Sequence, residues 1–280
     1  MTLIKTILVP TDFSIPADYA IRYAVNLASL FDASIILYHT FIPFESGFYP
    51  LAQSDKENLE TEKKLTDRTA KIRDVILKSS KDIPISIYVD RGPITIKLAE
   101  FCKKNKIDLI VMGTQGASSI KEILIGSFTA KVMTKAPCPV LAIPNEYKFK
   151  MPKQITYATN YGKKDKKVIQ YILELNDLFK AKLTILHIDD KKHISTAEEE
   201  LEKYKKTIEL QYKEIPFSYH HIVGKDISKA LLDQIMVDKT DILVLNPVKR
   251  KGIWQHVFHK SVTKKTVCHS LIPLLTIPAK

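Results

Sequence analysis

Apolar residues come in two rhythms along this chain, and the rhythms alternate. Residues 6–10, "TILVP", form a continuous apolar, β-branched run bounded by Pro and Asp, which predicts a buried strand. Residues 14–31, "SIPADYAIRYAVNLASLF", carry apolar positions at helical spacing behind Ser14, a ready N-cap. The alternation continues. Strands are predicted at 34–40, 85–92, 108–113 and 139–144. Helices are predicted at 58–80, at 93–105 with Pro93 in its first turn, and at 126–136. Strand and helix in strict succession predict a parallel, doubly wound α/β sheet of five strands. In such sheets ligands bind at the carboxyl ends of the strands, where the strand order reverses.

The same pattern then recurs. Residues 5–41 realign with 153–189, placing Ile7 on Ile155, Thr11 on Thr159, Asp12 on Asn160, Phe13 on Tyr161, Phe31 on Phe179 and His39 on His187. "KIDLIVMGTQG" (106–116) matches "KTDILVLNPVK" (239–249), and "APCPVLAIP" (136–144) matches "SLIPLLTIP" (270–278). Self-similarity at this spacing marks a duplication. We expect two homologous domains, residues 1–147 and 148–280, joined at the polar stretch "NEYKFKMPK".

Composition sharpens this picture only in places. Hydrophobic content of 45% and charged content of 26% fit a filled core and argue against disorder. No apolar run reaches the length of a bilayer span. The N-terminus lacks the features of a signal peptide and reads as a first strand. The three cysteines, Cys102, Cys138 and Cys268, are too scattered for a disulfide framework or a CxxC ligand pair. A cytoplasmic protein with reduced thiols is the expectation. The net charge of +12 invites a polyanion. However, lysines interleave with acids on stretches such as 198–214, the pattern of a solvated helix face. No aromatic-basic recognition motif accompanies them, so nucleic acid is not the expected partner.

Candidate chemistry concentrates in "GTQGASSIKEILIGS" (113–127), between a predicted strand and a predicted helix. Its spacing is Gly113-x2-Gly116-x9-Gly126-Ser127. Any one of these glycines could merely turn the chain. Together they allow backbone N–H groups to approach an anion closely. Gly126-Ser127 also opens a helix, where unpaired amides and the helix dipole favour negative charge. The arrangement suits a polyphosphate. It is neither a Walker loop nor a GxGxxG fingerprint.

The stretch resembles the signature of the universal stress protein family, Gly-x2-Gly-x9-Gly-Ser/Thr. "ILVPTDFS" (7–14), "VDRGPI" (89–94) and "APCPVLAIP" resemble the family's first strand, its glycine after strand three and its last strand. The match covers nearly all of 3–145 and, more weakly, 153–280, so the chain resembles a tandem universal stress protein. The resemblance implies Rossmann-like domains, of the adenine nucleotide alpha hydrolase-like kind, and ATP as ligand, with Mg2+. Carried over, Gly113 would lie beside the ribose, with Met112 before it. Gly116, Gly126 and Ser127 would hold the phosphates, helped by the amides of Phe128 and Thr129. Asp12 would meet the adenine side, or else serve as a turn residue before the first helix. Thr40 or Phe41 would border the adenine through backbone groups. Thr11 would line the site or pack at the strand end.

The second half departs from the signature. Asn246, Pro247 or Val248, and Lys260 stand where the glycines should be, Ser261 alone is retained, and Asn160 replaces Asp12. No ATP is expected there. The basic residues Lys249, Arg250, Lys251, Lys260, Lys264 and Lys265 form either a solvated face or a site for another anion or an acidic partner. His39 and His187, alike in both halves, read as strand-end residues with a structural or site-lining role. His256 and His259 stand three apart but have no third ligand nearby in sequence, so no metal is expected. No dedicated catalytic constellation appears. The expected function is an ATP-binding stress or signalling protein that acts by binding. A slow ATP hydrolase, or a non-nucleotide binding module using the second-half basic loop, are the alternatives. The apolar last strand of each half suits an internal pseudo-dimer of the two domains, and a homodimer is left open. The protein partner is unspecified.

Overall fold

The computed structural model describes residues 4–45, 51–80, 82–114, 126–162, 165–189, 197–212, 215–224, 226–247 and 272–278. These fall into two compact units that part between Phe149 and Lys150.

The first unit runs β1 (Thr6–Pro10), α1 (Ile15–Phe31), β2 (Ser34–Phe41), α2 (Leu51–Ser79), β3 (Ile85–Arg91), α3 (Ile94–Lys104), β4 (Leu109–Gly113), α4 (Ser127–Lys135) and β5 (Val140–Ile143). The strands are parallel in the order β3-β2-β1-β4-β5. The central strands β1 and β4 are buried along nearly their whole length. That is why they read as unbroken apolar runs: a parallel sheet is covered on both faces. α1 buries Ala17, Ala20, Ile21, Ala24, Leu27, Ala28 and Phe31, the apolar stripe that the spacing predicted. It starts at Ser14, whose side chain accepts from the Ala17 amide, and ends at Asp32 in a left-handed conformation.

Most boundaries fall within a residue of expectation, and two differences matter. α2 begins at Leu51 rather than 58, because the polar run ahead of the apolar periodicity is also helical. Within it Asn58 is buried and clamps the Phe44 backbone through both its amide oxygen and its amide nitrogen. Pro93 is the N-cap of α3 rather than a residue of its first turn. Cys102 and Cys138 are buried thiols. A hydrogen bond with Cys102, together with burial, pushes the Cys138 thiol well up.

The second unit repeats the plan with β6 (Gln154–Ala158), α5 (Asp165–Phe179), β7 (Lys182–Asp189), α6 (Ala197–Gln211), β8 (Phe217–Val223), α7 (Ile227–Val237), β9 (Ile242–Leu245) and β10 (Leu274–Thr276). Its order is β8-β7-β6-β9-β10, again parallel. Both units are therefore doubly wound, Rossmann-like sheets. One clip is shared. Asp108 accepts the Lys5 and Thr6 amides at 2.9 Å each, tying the start of β1 to the start of β4. Asp241 accepts those of Lys153 and Gln154 at 2.7 and 3.0 Å, doing the same for β6 and β9. No helix among the described residues is long and apolar enough to cross a membrane.

Candidate functional site

In the first unit the chain runs outward from β1 to β2 and β3, then crosses back to β4 and β5. The order therefore reverses between β1 and β4, and their carboxyl ends open the crevice where α/β sheets bind ligands. At the end of β1 the backbone turns at Phe13, whose φ of 63° is left-handed. A bulky residue holds that conformation only when its surroundings enforce it. Thr11 supplies the constraint. It is buried, its Oγ1 accepts the Phe13 amide at 3.1 Å, and its own amide donates to the Tyr38 carbonyl at 2.9 Å. Its carbonyl lies 2.7 Å from His39 Nδ1. A carbonyl only accepts, so Nδ1 carries the proton. The Phe13 ring packs 4.6 Å from His39, and the Arg68 guanidinium sits over it at 4.0 Å.

On the other side of the crevice, the Gly126 amide donates to the Thr114 carbonyl at 2.7 Å, and Thr129 Oγ1 donates to the Gly113 carbonyl at 3.0 Å. These two bonds return the start of α4 to the end of β4. Gly126 is the N-cap, with no side chain over the helix end. Helical geometry leaves the amides of Ser127, Phe128 and Thr129 without intrahelical acceptors. They form a donor cluster at the positive end of the helix dipole.

The expected site residues thus sort by exposure. Asp12 and Ser127 are exposed, while Thr40, Phe41, Gly126 and Phe128 are half-buried. Thr11, Met112, Gly113 and Thr129 are buried. The side chains of Thr11 and Thr129 are committed to their own backbone, so they shape the crevice. Asp12 Oδ1 accepts the Ser14 amide at 3.1 Å, the turn role left open from sequence. The end of β2 is set by Gly92, whose φ of 125° lets its amide reach the Phe41 carbonyl at 2.8 Å. Gly116 lies outside the described residues, as do the second-half basic loop, Ser261, His256 and His259.

The second unit keeps the strand-end device. Tyr161 takes a φ of 53°, its amide donates to Thr159 Oγ1 at 2.9 Å, and His187 Nδ1 lies 2.6 Å from the Thr159 carbonyl.

A model of the universal stress protein family matches residues 3–144. The chain belongs to that family. Universal stress protein MJ0531 of Methanocaldococcus jannaschii is 32% identical over 143 residues, which cover 50% of this chain and 82% of that protein. Universal stress protein MJ0577 of the same organism is 29% identical over 152 residues, 50% of this chain and 94% of that protein. A solved universal stress protein from Archaeoglobus fulgidus matches 99% of this chain and 98% of its own, with a TM-score of 0.66 at 16% identity. That identity speaks for fold alone, and a fold matched over the whole length fits a universal stress protein in tandem form.

The second domain of this universal stress protein fills its strand-end region with polar side chains. Asp165, in the first turn of α5, is buried and accepts from the hydroxyls of Thr159, Tyr157 at 3.0 Å and Tyr204 at 2.8 Å. Burial raises its carboxyl above the usual range, against the hydroxyl bonds that lower it. Burial, with the Asp165 charge, likewise pushes the Tyr157 and Tyr204 hydroxyls up. Asn246, standing at the position of Gly113, acts against that rise on the Tyr157 hydroxyl. Beside this network the Tyr161 ring stacks on His187 at 4.2 Å and packs against Tyr204 at 4.4 Å.

At the ends of β7 and β8, His187 Nε2 lies 3.3 Å from Asp189 Oδ1, and His221 Nε2 lies 3.1 Å from Asp189 Oδ2. The ligand atoms of the three all lie within 4.8 Å of one another. Sequence reasoning singled out His187 alone. Asp189 and His221 were missed because they join it only through the β7–β8 pairing, where His187 faces His221 and the strand ends at Asp189.

Proposed function

We propose that this protein is an ATP-binding stress-response or signalling protein with one nucleotide site, in the first domain. The observation that carries the reading is the start of α4. Its Gly126 cap, with no side-chain cap bond, and three amides without intrahelical acceptors stand where β4 ends beside the switch point between β1 and β4, in the stretch bearing the full glycine signature. The phosphates would meet the amides of Ser127, Phe128 and Thr129 and the Ser127 hydroxyl, with Gly113 and Gly116 allowing close approach. The adenine would lie toward Asp12 and the Thr40–Phe41 backbone. Magnesium would accompany the polyphosphate.

The domain boundary falls near residue 147, with the intact motif before it and a degenerate copy after it. In that copy Asn246 and Pro247 replace the backbone that would approach the phosphates, and Tyr157 and Asp165 occupy positions held by Val9 and Ala17 in the first domain. Occupancy would act on the 113–127 loop and so on a partner surface, in the cytoplasm, without dedicated catalysis.

The test is calorimetric titration of nucleotide-stripped protein with Mg-ATP. About one ATP per chain is expected from the single signature. Gly126→Lys copies the second domain, and combined with Ser127→Ala, which removes the hydroxyl donor, it should abolish binding. Two ATP per chain would overturn the reading of the second domain. No binding would remove ATP as the ligand.

A further inference from the structure

The His187–Asp189–His221 cluster has an unusual hydrogen-bond problem. His187 Nδ1 faces the Thr159 carbonyl at 2.6 Å and must carry a proton. Its Nε2 then faces the Asp189 carboxylate at 3.3 Å, acceptor against acceptor unless something positive stands between them. His221 Nε2 faces the other oxygen of the same carboxylate at 3.1 Å. The His221 Nδ1 is buried and has no hydrogen-bond partner among the described residues, so that ring is held from its Nε2 side. The side chains of His187 and His221 are 8% and 7% exposed, and that of Asp189 is 20% exposed. Two imidazoles and a carboxylate therefore converge with little water to separate them, and His187, protonated on Nδ1, turns its Nε2 lone pair toward Asp189.

We propose that His187, Asp189 and His221 form a binding site for a first-row divalent metal ion, with zinc as its occupant. Zinc–nitrogen and zinc–oxygen bonds of about 2.0–2.1 Å put tetrahedral ligand atoms about 3.3 Å apart. Each Nε2 stands at about that spacing from one oxygen of the carboxylate, 3.3 Å from Oδ1 and 3.1 Å from Oδ2, and one ligand atom from each residue lies within 4.8 Å of the others, so a small closure would complete the set. The Thr159 carbonyl supplies the outer support expected of a metal-bound histidine: it fixes the protonated nitrogen and leaves Nε2 as the ligand. The Tyr161 ring stacks on His187 and lies edge-on to His221 at 6.1 Å, holding both imidazoles in place. Three protein ligands leave the fourth position to water or a small anion. The site belongs to the second domain alone. The register puts Phe41 where Asp189 stands and Val89 where His221 stands, so His39 has no such partners. It is independent of the nucleotide reading.

The test uses the full chain, stripped with a chelator and then titrated with Zn2+ against a chromophoric competitor. Co2+ uptake, read from its visible absorption, reports the geometry. One Zn2+ per chain is expected, with a tetrahedral cobalt spectrum. Losing an outer support of a metal ligand weakens affinity about 10–100-fold, so losing a ligand should cost at least about 100-fold. Asp189→Asn keeps the shape of the side chain, and His221→Val copies the first domain. Each should show that loss while circular dichroism and the metal-free melting temperature stay native. His256→Ala with His259→Ala should leave affinity unchanged. No Zn2+ binding by the folded wild-type chain would overturn the proposal. So would unchanged affinity in both ligand variants, or loss of binding in the His256/His259 variant.

Discussion

The two domains hold the same backbone device at the end of their first strand and surround it with opposite chemistry. In each, a buried threonine clamps an aromatic residue in a left-handed turn and a histidine Nδ1 caps the threonine carbonyl. Around it the first domain places Val9, Ala17, Phe41 and Val89, whereas the second places Tyr157, Asp165, Asp189 and His221. An apolar floor beside the start of a helix suits, on the proposed reading, a ligand that brings its own charge. A floor of buried hydroxyls and carboxylates has already spent its polar groups on one another. Duplication kept what holds the turn and released what fills the crevice. The backbone bonds are shared because both folds need them, whereas the side chains differ, and so does the glycine signature, which is complete in the first half alone.

The largest expected effect comes from exchanging these fillings. Asp165→Ala leaves three hydroxyls without their acceptor, and an unsatisfied buried donor costs about 1–3 kcal/mol. We expect a loss of about 3 kcal/mol or more in urea unfolding of the full chain. Adding Tyr157→Phe and Tyr204→Phe removes two of the orphaned donors and should restore most of that loss, since deleting both partners of a buried bond is nearly neutral. The converse change, Ala17→Asp, puts a carboxylate among buried residues with no hydroxyls to meet it and should destabilise by about 3–5 kcal/mol. If Asp165→Ala were silent, the two crevices would not differ in the way described.

The sequence made the scaffold of this comparison readable and hid its chemistry. Buried strands such as "TILVP" and "DLIVMG" announce themselves because a doubly covered parallel sheet needs unbroken apolar runs. The alignment of Thr11 with Thr159 and of His39 with His187 was visible for the same reason: it follows the strands. The polar cluster was not visible. Asp189 and His221 are 32 residues apart and meet only through the β7–β8 register, which a single sequence does not fix. Helix α6 read as a solvated face from its charges, yet it sends Tyr204 to Asp165 and buries Ile208. Helical period alone does not say which polar residue on the inner face finds a partner.

A smaller effect should be common to both domains. Asp108 and Asp241 each accept two backbone amides, so alanine at either position should cost about 2 kcal/mol. A loss at both positions would confirm a shared clip, with Asp241→Ala also removing the Lys150 ion pair. The pH dependence then separates Asp241 from Asp165. Burial acts to raise the Asp241 carboxyl, but Lys150 at 2.6 Å and the two amides outweigh it and hold it below its ordinary value near 3.8. Its stabilisation is present above that value and is lost as pH falls through the lowered folded one. Asp165 runs the other way. Burial holds its folded carboxyl above 3.8, so the folded state binds more protons and stability falls as pH rises from there through the raised value. Unfolding midpoints across this range should show a gentler acid limb in Asp241→Asn. In Asp165→Asn the decline with rising pH should disappear.

The smallest effect sits at the helix that follows the shared turn. Ser14 caps α1, accepting the Ala17 amide, and the alignment puts Gly162 at the same place before α5. Removing a serine cap to alanine typically costs about 1 kcal/mol, whereas glycine costs only a few tenths. Ser14→Ala should therefore lower stability by about 1 kcal/mol, and Ser14→Gly, which copies the second domain, by a few tenths. The reverse exchange is not symmetric. A Cβ at Gly162 would stand 3.2 Å from Asp165 Oδ1, and that carboxylate is held in place by three hydroxyls. Gly162→Ser should consequently disturb the Asp165 network and gain nothing as a cap. If Gly162→Ser instead stabilised α5, the Asp165 carboxylate would have room to shift, and the buried network would be looser than its hydrogen bonds imply.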